Sequence, residues 1–397
     1  MLCTPKTFTV ETTFWIFAFI VFYTYLGYGI ILFLLVKLKE HFSIPRKIAY
    51  PEEMPEVTLL IAAYNEELVI RDKMRNCQEL IYPEGKLNIF WITDGSNDKT
   101  NDLLAEYPEV KILFEPPRMG KTAALNRGLA FVKTPLVIFT DANTMLNKYA
   151  IQEIVNSFAD PKVGCVAGEK RIEQNEKSGA TASEGLYWKY ESTLKEWDDR
   201  LNSAIGAAGE LFAIRTDLFE EMPVDTLLDD FILSMKIAQK GYKIAYCKKA
   251  YAIEDPSSNM KEEEKRKVRI SAGGLQSIYR LKGLLNPFKY GILSFQYVSH
   301  RVLRWSVTPI LFFMLLPLNI LLVALGYSSI LYTITLTLQV LFYLAGIWGY
   351  RCAQKEVRNK LFFIPYYFLF MNLSVLKGFK YLKDKKGSGV WEKAKRI

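Results

Sequence analysis

Hydrophobic positions fall along this chain in blocks. An apolar run from Thr13 to Leu38 is followed by a polar middle from about Lys39 to Lys289, and apolar runs return at Ser306 to Leu325, Ile330 to Tyr350 and Leu361 to Leu376. The first three are long enough to cross a bilayer core of roughly 30 Å as helices. Ser306–Leu325 and Ile330–Tyr350 contain no Asp, Glu, Lys or Arg, whereas the shorter fourth run carries Pro365, Asn372 and two tyrosines. Thr13–Leu38 lacks a basic leader and a small-residue cleavage site, so an uncleaved anchor is expected.

Inside the polar middle the pattern changes to short β-branched runs alternating with helical stretches. Val57–Ala63, Leu87–Thr93, Val110–Phe114, Leu136–Thr140 and Val163–Ala167 read as strands. Glu67–Leu80, Lys99–Glu106, Lys121–Val132 and Tyr149–Ala159 read as the helices between them. Such alternation predicts an α/β domain with a mostly parallel central sheet covered on both faces. The expected organisation is an N-terminal anchor over 1–50 (span about 13–38), the α/β domain over 55–280, an interfacial segment over 281–305, a membrane region over 306–376 and a basic tail over 377–397.

Charge adds orientation. The polar middle, the Arg351–Lys360 connection and the tail from Lys377 are basic, while the N-terminus and the turn at Gly326 are not, so the α/β domain is expected at the cytoplasmic face. Both flanks of Leu361–Leu376 are basic, and a re-entrant or interfacial segment is therefore expected there in preference to a crossing. The net charge of +9 is dispersed along the chain, which fits anionic lipid headgroups and argues against a nucleic-acid partner. Five cysteines lie far apart with no Cys-x-x-Cys pair, so neither a zinc site nor a disulfide scaffold is expected.

Ligands of mostly parallel sheets bind beyond the carboxyl ends of the strands. There the chain reads Tyr64-Asn65-Glu66-Glu67, Asp94-Gly95-Ser96-Asn97-Asp98 and Asp141-Ala142-Asn143, three carboxylate- and amide-bearing strand ends in succession. Singly, Asn65 or Asp98 could cap a helix and Asp94-Gly95-Ser96 could form a turn. Asp141 and Asn143, two oxygen donors two residues apart after a buried strand, are what a divalent cation holding a diphosphate would require.

With Arg118-Met119-Gly120-Lys121 and Ala124-Leu125-Asn126, these segments resemble in order and spacing the motifs of family 2 glycosyltransferases of the GT-A fold. The resemblance implies that Tyr64, Asn65, Glu66 and Asp94 hold the nucleotide, that Lys121 lies near the diphosphate, and that Asp141 and Asn143 bind Mg or Mn. Asn143 stands where the family has a second Asp, which implies a somewhat weaker, neutral ligand.

Downstream, Gly206 to Arg215, with Gly209 and Glu210, resembles the family's acceptor segment, and Leu228-Asp229-Asp230-Phe231-Ile232-Leu233 resembles its Glu-Asp-x-x-Leu pattern. By that resemblance Asp230 is the general base, with Asp229 beside it on the acceptor side. Arg266 and Arg269 keep part of the Gln-x-x-Arg-Trp segment of processive members and are expected on the diphosphate. Ile270 replaces its Trp, which removes an aromatic platform and argues against chain elongation. His300-Arg301-Val302-Leu303-Arg304-Trp305 is expected to anchor at the membrane interface, with a place near the active-site mouth as the alternative. Trp391 to Arg396 reads as a gating or interfacial tail.

The reading that follows is inverting transfer from a nucleotide sugar, a UDP-hexose or UDP-N-acetylhexosamine, to a carbohydrate or lipid-linked acceptor at the cytoplasmic membrane face, with a homo-oligomer allowed. A polyprenyl-phosphate sugar synthase is the alternative, and a nucleotide-sensing transporter a remote one, since Ser306–Leu325 and Ile330–Tyr350 hold no ionisable relay. The segment Val137 to Thr144 also resembles the Asp-x-Asp-x-Thr signature of haloacid-dehalogenase-type phosphatases, but Asn143 would lack their general acid.

Overall fold

The computed structural model of the chain describes residues 5–43, 53–172, 179–257, 259–326, 330–354 and 360–384. The connections at 327–329 and 355–359, and the tail carrying Trp391, lie outside the described residues.

The polar middle forms an eight-stranded sheet of β1 (Val57–Ala63), β2 (Leu87–Asp94), β3 (Val110–Glu115), β4 (Leu136–Asp141), β5 (Thr144–Leu146), β6 (Val163–Ile172), β7 (Leu211–Arg215) and β8 (Lys243–Glu254), in the order β3-β2-β1-β4-β7-β6-β8-β5. β3, β2, β1 and β4 are mutually parallel, and β7 inserts antiparallel between β4 and β6. The five expected strands are all present. β5, β7 and β8 add to them.

β1 is buried on both faces, as its near-continuous apolar sequence requires. Alternation of side chains sends Leu59 and Ile61 into one core with Ile138, Ile151 and Ile154, and Leu60 into the other with Ile92, Val137 and Phe139. Each such aliphatic side chain contributes roughly 1.5–3 kcal/mol of burial free energy. Helix Lys121–Leu129 lies close on this second face. A Cβ on Gly128 would stand 1.9 Å from Ile92 Cδ1, so a bare backbone is needed there. The helix thereby brings its first residue, Lys121, to the rim of β4.

A 23-residue helix, Gly179–Leu201, bridges this domain to the membrane segments. Leu194 and Leu201 pack with Tyr28, Leu32 and Val36 of the N-terminal helix, while Lys39 donates to the carbonyls of Arg200 and Leu201.

Among the described residues four helices are long and apolar enough to cross a membrane: Thr9–Phe42, Val307–Ala324, Ile330–Gln354 and Leu361–Asp384. The last coincides with the segment expected to be re-entrant or interfacial. It belongs to one unbroken helix, Lys360–Asp384. Asn372 does not interrupt it, because the amide donates to the Phe368 carbonyl one turn back and its oxygen accepts from the Tyr25 hydroxyl of the first span.

Candidate active site

β4 and β7 carry the centre. Asp141 ends β4 in register with Ala62 of β1, and a two-residue turn, Ala142-Asn143, leads into β5. Lys73, fully buried beneath this turn, donates to Thr140 Oγ1 at 3.2 Å and to the Thr144 carbonyl at 2.6 Å, tying down the chain on both sides of Asp141 and Asn143. Burial lowers the Lys73 pKa to about 8.

Asp229 and Asp230 open helix Asp229–Gln239, where backbone N–H groups favour negative charge. The Phe231 N–H donates to Asp230 Oδ1 at 2.8 Å. Burial first, and the neighbouring Asp229 second, push the Asp230 pKa up to about 7. Lys121 stands between the two acidic groups, with its ammonium 2.6 Å from Asp141 Oδ1 and 3.9 Å from Asp229 Oδ2. Burial alone would lower the Lys121 pKa, but Asp141, Asp229 and Asp230 together raise it. Gly209 closes the group: a Cβ there would lie 3.4 Å from Lys121 Nζ and 3.6 Å from Asp230 Oδ2. The absent side chain leaves room directly over the base.

Asp141, Asn143, Lys121, Gly209, Asp229 and Asp230 all line one cavity of about 1250 Å³, together with Tyr64, Glu66, Asp94, Glu210, Arg266 and Arg269. Asn65 is the sequence-predicted residue that does not line it. Asn65 has a positive φ of 52° and clasps the next strand end, exchanging hydrogen bonds with Asn97 at 2.8 and 2.9 Å. Asp94 reaches the wall, but its carboxylate accepts from the backbone N–H groups of Met119 and Gly120 and so shapes the segment before Lys121. Arg118 lies over the Tyr64 ring at 3.7 Å. Glu210 pairs with buried Lys170, and Arg266 lies 3.9 Å from it and 3.6 Å from Glu254, forming one buried charge cluster. Burial lowers the Arg269 pKa, with Arg266 the next contribution.

Among the described residues no cluster of three or more His, Cys, Asp or Glu side chains could hold a metal. Asp141 and Asn143 still offer two hard oxygen donors on the cavity wall, a set that suits Mg or Mn when ligand oxygens and water complete it.

Two further features border the site. Trp305, whose segment was given a place near the active-site mouth as the alternative to a membrane interface, lines the cavity and packs edge-on to Phe231 with ring centroids 5.0 Å apart. Gly274 permits this, since a Cβ there would meet the Trp305 ring at 2.5 Å. Helix Gly179–Leu201 contributes Glu191 and Lys195 to the same wall. Glu191 receives Arg301 at 2.5 Å, Arg304 at 2.9 Å and His300 Nε2 at 3.3 Å. Burial opposes its ionisation, but Arg301, His300 and Arg304 hold its carboxyl well below the usual range. The His300 segment is therefore a buried clamp, with Nδ1 2.6 Å from Asp198 Oδ2.

The sheet, with acidic strand ends, a lysine-paired carboxylate at the end of β4 and an acidic pair at a helix N-terminus, has the architecture of a GT-A glycosyltransferase domain. Residues 55–273 match the family described as glycosyltransferase like family 2, more than half of the chain, and the chain belongs to that family. It is 28% identical over 261 residues to a probable glycosyltransferase, YdaM, of Bacillus subtilis, covering 62% of this chain and 61% of that one. It is 34% identical over 183 residues to a beta-monoglucosyldiacylglycerol synthase of Trichormus variabilis, covering 43% and 37%. With a poly-beta-1,6-N-acetyl-D-glucosamine synthase of Staphylococcus aureus it shares 29% over 208 residues, 49% and 48% of the two chains. The match thus spans less than two thirds of the length of each of these relatives. The fold is similar to that of the mannosyltransferase PcManGT from Pyrobaculum calidifontis, solved with GDP-Man and Mn2+, at a TM-score of 0.69 and 20% identity over 95% of this chain and all of that one.

Proposed function

We propose that this chain is a membrane-bound glycosyltransferase that moves one sugar from a nucleotide donor, a UDP-hexose or UDP-N-acetylhexosamine, to a carbohydrate or lipid acceptor with inversion, for polysaccharide or glycolipid synthesis. The observation that carries it is that Asp230 lines one cavity with Asp141 and Asn143, with Gly209 leaving space above the base. An acceptor hydroxyl is a poor nucleophile at neutral pH, and Asp230 takes its proton as the oxygen attacks the anomeric carbon. The bond to the diphosphate breaks on the opposite side, so a single displacement inverts the configuration.

Asp141 and Asn143 hold Mg or Mn, whose charge when bound offsets that of the diphosphate. Lys121, Arg266 and Arg269 supply fixed positive charge for the leaving group. Tyr64, Glu66 and Asp94 form the nucleotide end, and Asn65 supports it by holding the two strand-end loops together. Gly209, Glu210 and Asp229 border the acceptor. The basic loops support a cytoplasmic position for the domain over 55–280.

Purified full-length protein incubated with a panel of nucleotide sugars tests this. One donor is consumed with release of its nucleoside diphosphate, the product gains one sugar by mass, and chelation stops the reaction. Turnover of no donor, or full turnover without divalent ions, would overturn the proposal.

A further inference from the structure

The cavity that holds Asp230 does not end in the α/β domain. Its wall continues onto Phe22, Tyr25 and Leu26 of the first span and Ile364, Phe368 and Val375 of the last. Phe22, Leu26 and Ile364 are each about half exposed, at 52%, 57% and 53%, and so face outward where a membrane would lie. The two spans meet beside this opening, where the Tyr25 and Phe368 rings stand 4.7 Å apart and the Tyr25 hydroxyl donates to Asn372. The catalytic carboxylates and a hydrocarbon-facing wall thus share one continuous space. A soluble acceptor has no use for that wall.

Lys195 lies between the two ends. Its side chain lines the cavity, the residue is only 6% exposed, and its ammonium has no hydrogen bond or ion pair among the described residues. Burying an ammonium without a partner is costly, and here the unfilled donors border the space a ligand would enter. The charges that act on Lys195 are Arg301, Glu191, Glu210 and Asp230, whereas those acting on Arg269 include Asp229 and Asp141. Lys195 therefore lies within electrostatic reach of the base Asp230 and of Glu191 and Glu210. Arg301 is engaged by Glu191 and lies over the Trp305 ring at 5.3 Å, whereas the Lys195 ammonium has no ion pair among the described residues.

Building on the proposed sugar transfer, we infer that the acceptor is a membrane lipid bearing both a phosphate and a hydroxyl, with its tail between the first and last spans, its phosphate on Lys195 and its hydroxyl at Asp230. The hydroxyl oxygen bonds to the anomeric carbon and its proton passes to Asp230. The bond from that carbon to the donor diphosphate breaks, and the electron pair leaves on the diphosphate oxygen. Lys195 binds the acceptor and takes no proton.

Full-length protein in uncharged polyoxyethylene micelles, supplied with the donor it turns over, separates the possibilities. Phosphatidylinositol and a polyprenyl-diphosphate-linked sugar carry both groups, diacylglycerol carries the hydroxyl alone, and polyprenyl phosphate carries the phosphate alone. One of the first two is glycosylated with a kcat/KM at least about tenfold above either of the last two, and which one identifies the source of the phosphate. Lys195→Gln raises KM for that lipid about tenfold, the size expected for a lost charge-assisted hydrogen bond, and Lys195→Arg restores most of it. Equal use of diacylglycerol or polyprenyl phosphate, use of a soluble oligosaccharide in their place, or an unmoved KM in Lys195→Gln would overturn the inference. Donor hydrolysis with no lipid glycosylated would overturn it and leave the transferase reading standing, whereas no release of nucleoside diphosphate from any donor would overturn both.

Discussion

The Lys121 ammonium lies 2.6 Å from the Asp141 carboxylate at the end of β4, so the group proposed to hold a divalent ion is already balanced by a cation. A bound ion and its diphosphate would share this space, and the lysine would then be free to meet the new negative charge. Lys121→Gln is expected to reduce turnover about 100-fold through loss of leaving-group stabilisation. Asp141→Asn is expected to weaken Mn2+ binding at least tenfold by electron paramagnetic resonance titration. Unchanged Mn2+ affinity in Asp141→Asn would remove the metal site from β4.

The Asp230 carboxyl, pushed up to about 7, sets a pH dependence. A raised carboxyl pKa means that the base is neutral, and inactive, below about 7 and ionised above it. The profile of kcat/KM should fall close to tenfold per pH unit below 7 and level off above. A flat profile from pH 5 to 8 would show that no proton is taken by this group.

Lys73 makes a prediction about stability. Its pKa falls from 10.5 unfolded to about 8 folded, so the unfolded chain binds more protons between these values and stability from this residue rises with pH across them. Relative to Lys73→Met, the wild-type protein should gain roughly 2 kcal/mol between pH 8 and 10 in denaturant titrations. A constant difference between the two proteins over that range would contradict a buried, charge-destabilised lysine under the β4–β5 turn.

Trp305 packs against Phe231, the residue after the base, and borders the acceptor side of the cavity. Trp305→Phe, which keeps a ring there, should change KM for the acceptor less than threefold. Trp305→Ala should raise it about tenfold, since aromatic packing and the stacking surface are both lost. Equal acceptor KM values in the two variants would return Trp305 to a purely structural role.

Much of this arrangement was legible in the sequence because it depends on local pattern. β1 to β4 announce themselves by short β-branched runs, and β1, β2 and β4 end in polar residues that line the cavity. Helix Gly179–Leu201 was not legible, because its inward face carries Glu191, Lys195 and Asp198. A buried face made of charged side chains gives no apolar periodicity to read. β7 and β8 lie among segments whose pairing is set across the sheet, not along the chain. Basic flanks on both sides of Leu361–Leu376 argue for a re-entrant or interfacial segment, whereas the helix Lys360–Asp384 is continuous, with Asn372 held by the Tyr25 hydroxyl from a distant helix. Ile270 removed the expected tryptophan from one place, and Trp305 brings an aromatic ring to the same cavity from another, a substitution visible only in three dimensions.

The most direct measurement compares wild-type protein and Asp230→Asn with the accepted nucleotide sugar, following release of nucleoside diphosphate in the presence of acceptor and donor affinity by calorimetry. The account predicts at least a 100-fold loss of turnover with donor affinity unchanged, since Asp230 acts on the acceptor proton. Turnover within a fewfold of wild type in Asp230→Asn would contradict it.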